Sequence, residues 1–290
     1  MTRRKFLGGD VIDSWRKACW NLSAATGPFK GKERLLAWLT RPSRPSGVSV
    51  RRGGVSWQLH GHDLNEFYIA ARPLHSAGLS RALSAEIERG GVTSLWDIGA
   101  NIGAVSLPLL DRFKTLHVVL FEPSAEVAGR LIRNLGNNPD LSGRAVVMNV
   151  ALSNSAGLTR FFVSGESENS GVGGLVSSAN RNPLPVWVQS LPGDGLVQDG
   201  TCAAPQLIKI DVEGFEIEVL KGLERTLRAH HPPVLFEHSV YRFKERQRPL
   251  DEVVTYLQSL GYSVYALESN QPIAANDLGR DADWIARAKV

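Results

Sequence analysis

The sequence predicts an α/β fold in which helices cover both faces of a mostly parallel sheet. From residue 90 onward, short apolar segments alternate with turns and amphipathic segments, which is the pattern of repeated strand and helix units. Several apolar segments end in polar residues, and open parallel sheets bind their ligands at those ends. The chain has 290 residues, of which 43% are hydrophobic and 21% charged, so it is long enough for one large domain with an appended segment.

The elements follow from the pattern in chain order. Residues 53–90 form a preamble, with a strand predicted at 55–60 and a helix at 77–89. Main-sheet strands are predicted at 94–98, 117–122, 145–150, 206–211, 233–238, 262–268 and 283–288. Helices are predicted at 102–113, 124–136, 213–229 and 249–260, with Pro108 kinking the first of them. An extra strand pair at 158–163 and 186–189 flanks a Gly- and Ser-rich stretch, 164–182, which is a candidate substrate-side loop.

Positive charge is concentrated at the amino terminus. Residues 1–52 carry 12 Lys/Arg and 3 Asp/Glu, whereas the remainder carries 21 and 26. We therefore divide the chain into a basic arm and linker, residues 1–50, and an α/β domain, residues 51–290. Such an arm suits peripheral contact with an anionic membrane surface or attraction of a phosphorylated or acidic-sugar substrate. A solvated arm without a specific partner fits the composition equally well.

Cysteine usage and the first residues indicate a cytoplasmic protein. Cys19 and Cys202 are far apart and outside any metal-type spacing, so neither a disulfide framework nor a zinc site is predicted. The twin arginines Arg3 and Arg4 resemble an export signal, but the required apolar stretch does not follow. No nucleic-acid partner is predicted, and the oligomeric state is left open.

The first predicted main-sheet strand runs into a turn with the pattern Asp97-x-Gly99-x-Asn101-x-Gly103. Its glycines allow a sharp bend, and the amides opening the next helix can face an anionic group. A dinucleotide-binding loop needs glycine at the middle position, where this chain has Asn101. Asp97 would repel a pyrophosphate, yet it suits a ligand with an amino group and a sulfonium. The turn therefore favours S-adenosylmethionine over a nicotinamide dinucleotide.

The next two strands also end in informative residues. Glu122 follows Val118–Phe121, where a carboxylate can accept both hydroxyls of a ribose. Alternatively, Glu122 caps the helix that starts near Ser124. The third strand ends in small residues around Ala151, which leave room for an adenine ring, although any buried strand can end in this way.

The fourth and fifth strands end in further titratable residues. Asp211 and Glu213 follow an apolar strand that contains Lys209, and unpaired buried charge is costly, so a partner or ligand is expected there. Glu213 also suits a helix amino terminus. The fifth strand ends in Glu237 and His238, and an imidazole at the mouth of a cleft is a natural general base. A structural role for His238 is equally compatible with the sequence.

Four segments match a known family in order and spacing. They are Trp96-Asp97-Ile98-Gly99-Ala100-Asn101-Ile102-Gly103, Leu120-Phe121-Glu122-Pro123, Asn149-Val150-Ala151-Leu152-Ser153, and Ile208-Lys209-Ile210-Asp211-Val212-Glu213-Gly214-Phe215-Glu216 with Val219-Leu220-Lys221-Gly222. Over about residues 50–290 the chain resembles the FkbM family of S-adenosylmethionine-dependent methyltransferases. The resemblance implies a class I methyltransferase fold: a Rossmann-like, doubly wound, seven-stranded sheet of order 3-2-1-4-5-7-6, here with an N-terminal helical and strand extension. It also implies methylation of hydroxyl groups, commonly on sugars or polyketide-type metabolites.

With this resemblance each site residue receives an expected role. The residues expected to hold S-adenosylmethionine are Asp97, Gly99, Asn101 and Gly103 at the methionine end, Glu122 at the ribose, and Ala151 near the adenine. Asp211, Glu213 and His238 are expected to face the acceptor, with His238 or Glu213 as proton acceptor and Asp211 orienting the acceptor or holding the cofactor amino group. No metal is assigned, because a third oxygen ligand is not evident.

The acceptor is open at this stage. The first expectation is a sugar hydroxyl on a glycan or glycolipid precursor, and the second is a hydroxyl of a polyketide-type secondary metabolite. A non-catalytic scaffold that binds S-adenosylmethionine is the alternative from another class of protein, because a fold and a cofactor site do not guarantee chemistry.

Overall fold

The computed structural model describes residues 47–60, 66, 69, 77–163 and 184–289. Most of the basic arm and the candidate substrate-side loop, 164–182, lie outside the described residues. The boundary at residue 50 stays a prediction, and a described strand runs across it.

Twelve strands and nine α-helices are described. In chain order they are β1 (Gly47–Arg52), β2 (Val55–His60), α1 (Ala77–Gly90), β3 (Ser94–Ile98), α2 (Ser106–Arg112), β4 (His117–Phe121), α3 (Ala125–Gly136), α4 (Pro139–Ser142), β5 (Ala145–Met148), β6 (Ala151–Leu152), β7 (Gly157–Val163), β8 (Leu184–Leu191), α5 (Gly193–Gln198), β9 (Leu207–Ile210), α6 (Glu216–Gly222), α7 (Glu224–His230), β10 (Val234–His238), α8 (Val240–Glu245), α9 (Glu252–Ser259), β11 (Tyr262–Ala266) and β12 (Ala282–Ala288), with a 3₁₀ helix at Ala275–Gly279 before β12.

The main sheet contains seven strands in the order β11-β12-β10-β9-β3-β4-β5. Counted along the chain, this is the order 3-2-1-4-5-7-6 that the family resemblance implies, so that expectation is confirmed. The pairs from β5 to β10 are parallel, whereas β12 is antiparallel to both of its neighbours. β3 therefore lies in the middle of the sheet, with β4 on one side and β9 on the other. The carboxyl ends of these strands form one edge, which we call the carboxyl edge.

Both faces of the central strand β3 are buried, as its apolar segment predicts. In β3, Leu95 belongs to one apolar cluster, while Trp96 and Ile98 belong to the cluster on the other side. All three are at most 1% exposed. Because successive side chains of a strand point to opposite faces, a strand between two helical layers is apolar throughout.

Two helix predictions are wrong in their boundaries. The helix predicted at 102–113 begins only at Ser106, so Pro108 lies in its first turn, where its missing N–H costs nothing and no kink is needed. The helix predicted at 213–229 is divided into α6 and α7 at Leu223. The break exposes the first N–H groups of α7, and those of Arg225 and Thr226 donate to the carboxylate of Asp194.

The third main-sheet strand is shorter than the predicted 145–150. It ends at Met148, and Ala151–Leu152 leaves the main sheet to pair in parallel with β8. β8 also pairs antiparallel with β7, which confirms the predicted extra strand pair. These three strands form a second small sheet of order β6-β8-β7 beside the carboxyl end of β5.

The predicted strand of the preamble, β2, forms a hairpin with β1, which precedes the preamble, and this hairpin packs on α3. Two side-chain amides hold it there: Asn138 exchanges hydrogen bonds of 2.8 Å with both backbone groups of Ser56, and Asn134 accepts one from the backbone N–H of Gln58 at 2.9 Å. None of the helices in the described part of the chain has the length and apolarity that a membrane crossing requires.

Candidate active site

The glycine turn, residues 99–103, follows β3 at the carboxyl edge. Gly99 and Gly103 have φ values of +79° and +86°, and Asn101 has a φ of +50°, a region that asparagine tolerates better than most residues. A Cβ on Gly99 would lie 1.8 Å from the backbone oxygen of Asp211, and one on Gly103 would lie 2.3 Å from Leu107. Packing against backbone thus requires glycine at position 99, whereas at position 103 the positive φ is the stronger reason, because only the ends of leucine side chains would have to move.

The backbone N–H groups of this turn are already hydrogen bonded. Those of Gly99 and Ala100 donate to the Phe121 carbonyl, and that of Gly103 donates to Ala100. The Asn101 N–H donates to Glu122, and the Asn101 side chain accepts from Ile102. These five amides therefore hold the turn itself together, so a ligand at the turn meets side chains and carbonyl groups first.

Asp97 lies beneath the turn and is 0% exposed. Its Oδ2 accepts a hydrogen bond of 2.6 Å from Ser106, and its Oδ1 is 3.0 Å from Nζ of Lys209. The Lys209 ammonium also donates to the Gly99 carbonyl at 2.9 Å and lies 3.5 Å from Asp211 Oδ2. Burial alone lowers the pKa of Lys209, but the neighbouring Asp97 and Asp211 raise that pKa by more. The lysine is therefore charged, and it is the partner that the sequence led us to expect beside Asp211.

Glu122 joins the turn to the next helix. One carboxylate oxygen accepts from Asn101 N at 3.0 Å, and the other accepts from Ser124 N at 2.8 Å. The Asn149 side chain donates to the Glu122 carbonyl at 2.7 Å and holds the segment after β5 against it. Burial raises the pKa of Glu122 to about 7. Each oxygen of a carboxylate has a second acceptor position, so the bond to the helix start and a ribose contact are compatible.

Ala151 lies in the small sheet, three residues beyond Met148, which ends β5. Its side chain is 7% exposed and packs with Phe161 and Val188. The expected adenine contact of this region stays a prediction.

Three carboxylates meet at the carboxyl edge on the other side of the turn. Asp211, Glu213 and Glu237 each offer an oxygen within 4.8 Å of the others, and we call them the acidic cluster. Glu237 has no role predicted from the sequence. The strand register is the signal that could have revealed Glu237. In the pairing of β9 and β10, Phe236 lies opposite Ile210, so the next residues, Glu237 and Asp211, lie side by side.

Two cations flank the acidic cluster. The Arg242 guanidinium is 2.8 Å from Glu213 Oε2, and Lys209 lies beside Asp211. Burial, followed by the charge of Asp211, raises the pKa of Glu213, and the same two causes raise the pKa of Glu237 to about 9. Glu237 therefore keeps a proton near neutral pH. The Glu237 carboxyl group also provides the third oxygen ligand for a metal ion that is not evident from the sequence. However, Lys209 and Arg242 already balance the charges of Asp211 and Glu213.

Glu213 has an unusual backbone conformation. Its φ of +56° is uncommon for glutamate, and Gly214 follows with a φ of +94°. The pairing with Arg242 from α8 holds this side chain in place. Strained backbone of this kind tends to occur at functional sites.

His238 is not at the mouth of the cleft, contrary to the sequence-based expectation. The side chain is 0% exposed, and its ring stacks on Trp284 with centroids 4.0 Å apart. Its Nε2 lies 3.0 Å from the Leu278 carbonyl, and burial lowers the pKa of the imidazole. Because Glu237 and His238 are consecutive in β10, they point to opposite faces, and Glu237 is the one that joins the acidic cluster.

The sheet order, the antiparallel last strand, the glycine turn after the central strand and the acid at the end of its neighbour define the class I methyltransferase fold. A family model described as the methyltransferase FkbM domain matches residues 97–264, and the chain belongs to this family. The resemblance seen in the sequence is thereby confirmed.

Several known proteins are similar to this chain. The hexuronic acid methyltransferase AglP of Haloferax volcanii is 32% identical over 149 residues, which cover 51% of this chain and 56% of AglP. A solved structure of an FkbM methyltransferase from Methylobacillus flagellatus KT covers 93% of this chain and 58% of its own, with 16% identity and a TM-score of 0.46. The precorrin-6y C5,15-methyltransferase of Geobacter metallireducens GS-15 covers 71% and 86%, with 12% identity and a TM-score of 0.39. The chain thus spans little more than half the length of the first two.

Proposed function

We propose that this protein is an S-adenosylmethionine-dependent O-methyltransferase that acts on a sugar hydroxyl of a glycan or glycolipid precursor. The observation that carries the proposal is the meeting, at one sheet edge, of the glycine turn, Glu122 and the acidic cluster. The turn and Glu122 lie on the side expected to bind the cofactor. The acidic cluster lies next to them, where an acceptor hydroxyl must approach.

The chemistry of the donor set fits S-adenosylmethionine. Glu122 has two unused acceptor positions for ribose hydroxyls, and its ionised form is the better acceptor. Asp211, which is 41% exposed, is the carboxylate that an amino group or sulfonium can reach from the turn. Asp97 is completely buried, so we infer that it supports the methionine end of the cofactor through the turn. When bound, S-adenosylmethionine supplies a methyl group already activated by its sulfonium.

The remaining task of the protein is to orient a hydroxyl and accept its proton. Orientation is worth about 7–11 kcal/mol in well-aligned reactions, whereas a positioned base contributes about 10²- to 10⁴-fold. We assign proton acceptance to Glu213 for two reasons. Its pKa is raised towards neutral pH, which makes the carboxylate a stronger base, and Arg242 contacts only one of its two oxygens. The protonated Glu237 can donate a hydrogen bond to the acceptor. The burial of His238 favours Glu213 over the imidazole as the base.

The sugar acceptor is supported by the printed name of AglP, which describes a hexuronic acid methyltransferase. A hydroxyl of a polyketide-type metabolite is the second candidate, because the family resemblance implies both acceptor classes.

Calorimetric titration of the purified protein with S-adenosylmethionine, S-adenosylhomocysteine and NADH tests the cofactor. We expect both adenosyl ligands to bind, NADH not to bind, and Glu122→Ala to weaken the binding of both adenosyl ligands. Methyl transfer from labelled cofactor to uronic-acid oligosaccharides, neutral oligosaccharides and hydroxylated polyketides then tests the acceptor. Failure of the wild-type protein to bind either adenosyl ligand would reject the proposal. Binding without transfer to any acceptor would support the non-catalytic scaffold.

A further inference from the structure

The Lys209 side chain connects three separate segments of the site. Its Nζ lies 2.9 Å from the Gly99 carbonyl, 3.0 Å from Asp97 Oδ1 and 3.5 Å from Asp211 Oδ2. The Gly99 carbonyl accepts a hydrogen bond from the ammonium, and the two carboxylates lie within ion-pair distance of it. The side chain is only 4% exposed, so bulk water has little access to the ammonium. We propose that Lys209 is a positioning residue that couples the glycine turn to Asp211 of the acidic cluster.

The contacts on the turn side are short and rigid. Asp97 is fixed by Ser106 through its other oxygen, at 2.6 Å, and the Gly99 carbonyl belongs to the turn itself. The backbone of the turn also packs directly on the Asp211 segment, because Asp211 N donates to Ile98 O at 3.0 Å. Lys209 is therefore anchored to the cofactor side of the site.

The contact between Lys209 and Asp211 is the longest of the three. Asp211 is 41% exposed and belongs to the acidic cluster, whose other members repel it. Arg242 is engaged with Glu213, so Lys209 is the nearest cation that draws the Asp211 carboxylate towards the turn. Without the ammonium, this carboxylate is expected to turn towards solvent, away from a ligand on the glycine turn. The inference rests on the proposed function, because it describes how the same site is held.

A double-mutant cycle on the affinity for S-adenosylhomocysteine tests the coupling. The variants are Lys209→Met, Asp211→Asn and the double substitution in the full chain, each titrated calorimetrically. We expect Lys209→Met to weaken binding at least tenfold. We also expect the double variant to bind at least fivefold more tightly than the product of the two single effects predicts, because the lysine acts through the aspartate. Lys221→Met, at an exposed position of α6, is the matched control and leaves the affinity unchanged.

Lys209→Met leaves the buried Asp97 charge without its cation, which can prevent folding. The same cycle is therefore also run with Asp97→Asn as the parent, in which the side chain is neutral and still accepts from Ser106. Thermal unfolding of each variant separates a loss of folding from a loss of affinity. If no variant without Lys209 folds with either parent, the lysine is purely structural and the positioning role is wrong.

The remaining outcomes separate the two proposals. Independent, multiplicative effects of Lys209→Met and Asp211→Asn with both parents would overturn the coupling and leave the proposed function standing. Absence of S-adenosylhomocysteine binding by the wild-type protein would overturn the proposed function, and the coupling with it. Non-additive effects with either parent support the positioning role.

Discussion

Glu122 connects the glycine turn to the amino end of α3, and its carboxyl group has a pKa of about 7. If ribose hydroxyls donate to this carboxylate, binding requires its ionised form. The affinity for S-adenosylhomocysteine should then fall about tenfold from pH 8 to pH 6, as expected for one titrating group with that pKa. In Glu122→Gln the affinity should be lower, and this part of the pH dependence should disappear.

Glu126→Gln is the control for that titration, because Glu126 lies nearby on α3 but its side chain is 62% exposed. Calorimetric titrations from pH 6 to pH 8 measure the affinity of the wild type, Glu122→Gln and Glu126→Gln for S-adenosylhomocysteine. If Glu122→Gln lowers the melting temperature but keeps the wild-type pH profile of binding, Glu122 acts only in joining the turn to the helix.

His238 is buried with a lowered pKa, which has a defined consequence for stability. Between the folded-state pKa and the ordinary value of 6.5, the unfolded chain binds more protons than the folded one. The free energy of unfolding should therefore fall as the pH decreases through this window. In His238→Gln, which keeps an N–H donor for the Leu278 carbonyl, the slope should be smaller. Urea unfolding at pH 5.5 and 7.5 measures it.

If the free energy of unfolding of His238→Gln falls with decreasing pH as steeply as that of the wild type, the imidazole is not responsible for this pH dependence. The same variant also tests catalysis once an acceptor is known. Loss of turnover in a fully stable His238→Gln protein would favour the imidazole as the base over Glu213.

At the level of elements, α6 packs with its last residue against the turn that follows β6. A Cβ on Gly222 would lie 2.0 Å from the backbone oxygen of Ser153, and backbone cannot move aside as a flexible side chain can. Gly222→Ala should therefore destabilise the protein by about 1–3 kcal/mol, the usual cost of overpacking. The glycine in the Val-Leu-Lys-Gly segment of the sequence thus has a packing reason.

Gly136→Ala, at the end of α3, is the matched control. A Cβ there meets nothing within 4 Å, and the residue has no positive φ. It should stabilise the protein by up to about 1 kcal/mol, because alanine loses less backbone entropy on folding. Chemical unfolding of both variants gives the comparison. Equal stabilities of the two alanine variants would contradict the close approach of α6 to Ser153.

At the level of the whole molecule, charge is divided unevenly between the arm and the rest of the chain. Residues 1–52 have a net charge of +9 and the remainder has −5. We expect the full chain to bind vesicles rich in phosphatidylserine at low ionic strength and to dissociate from them at high ionic strength. Changing Arg3, Arg4 and Lys5 to glutamine should weaken binding by about 1 kcal/mol per residue near the surface.

Vesicle co-sedimentation measures this binding. The control changes Arg133, Lys221 and Lys244, three exposed positions of the domain, to glutamine and so removes the same charge. Equal loss of vesicle binding in the two triple variants would show that net charge, and not the arm, is responsible. Binding of neutral vesicles to the same extent would contradict an electrostatic contact altogether.

The amino-acid sequence alone was enough to predict the α/β class, the positions of the seven main strands and the polar residues at the ends of several of them. Those features depend on local patterns: buried strands are apolar on both faces, and glycine and proline mark the turns. Helix boundaries were less accurate where distant residues decide them, as at Leu223, where Asp194 supplies the acceptors for the first N–H groups of α7.

Which side chains meet is set by the three-dimensional packing of distant segments. Lys209 lies 110 residues from the Gly99 carbonyl that it contacts, and Glu237 reaches Asp211 through strand register. The burial of His238 depends on Trp284 and Leu278, which follow it by about 40 residues. Such contacts depend on strand order and packing between distant segments, whereas a single sequence records only the local alternation within each segment.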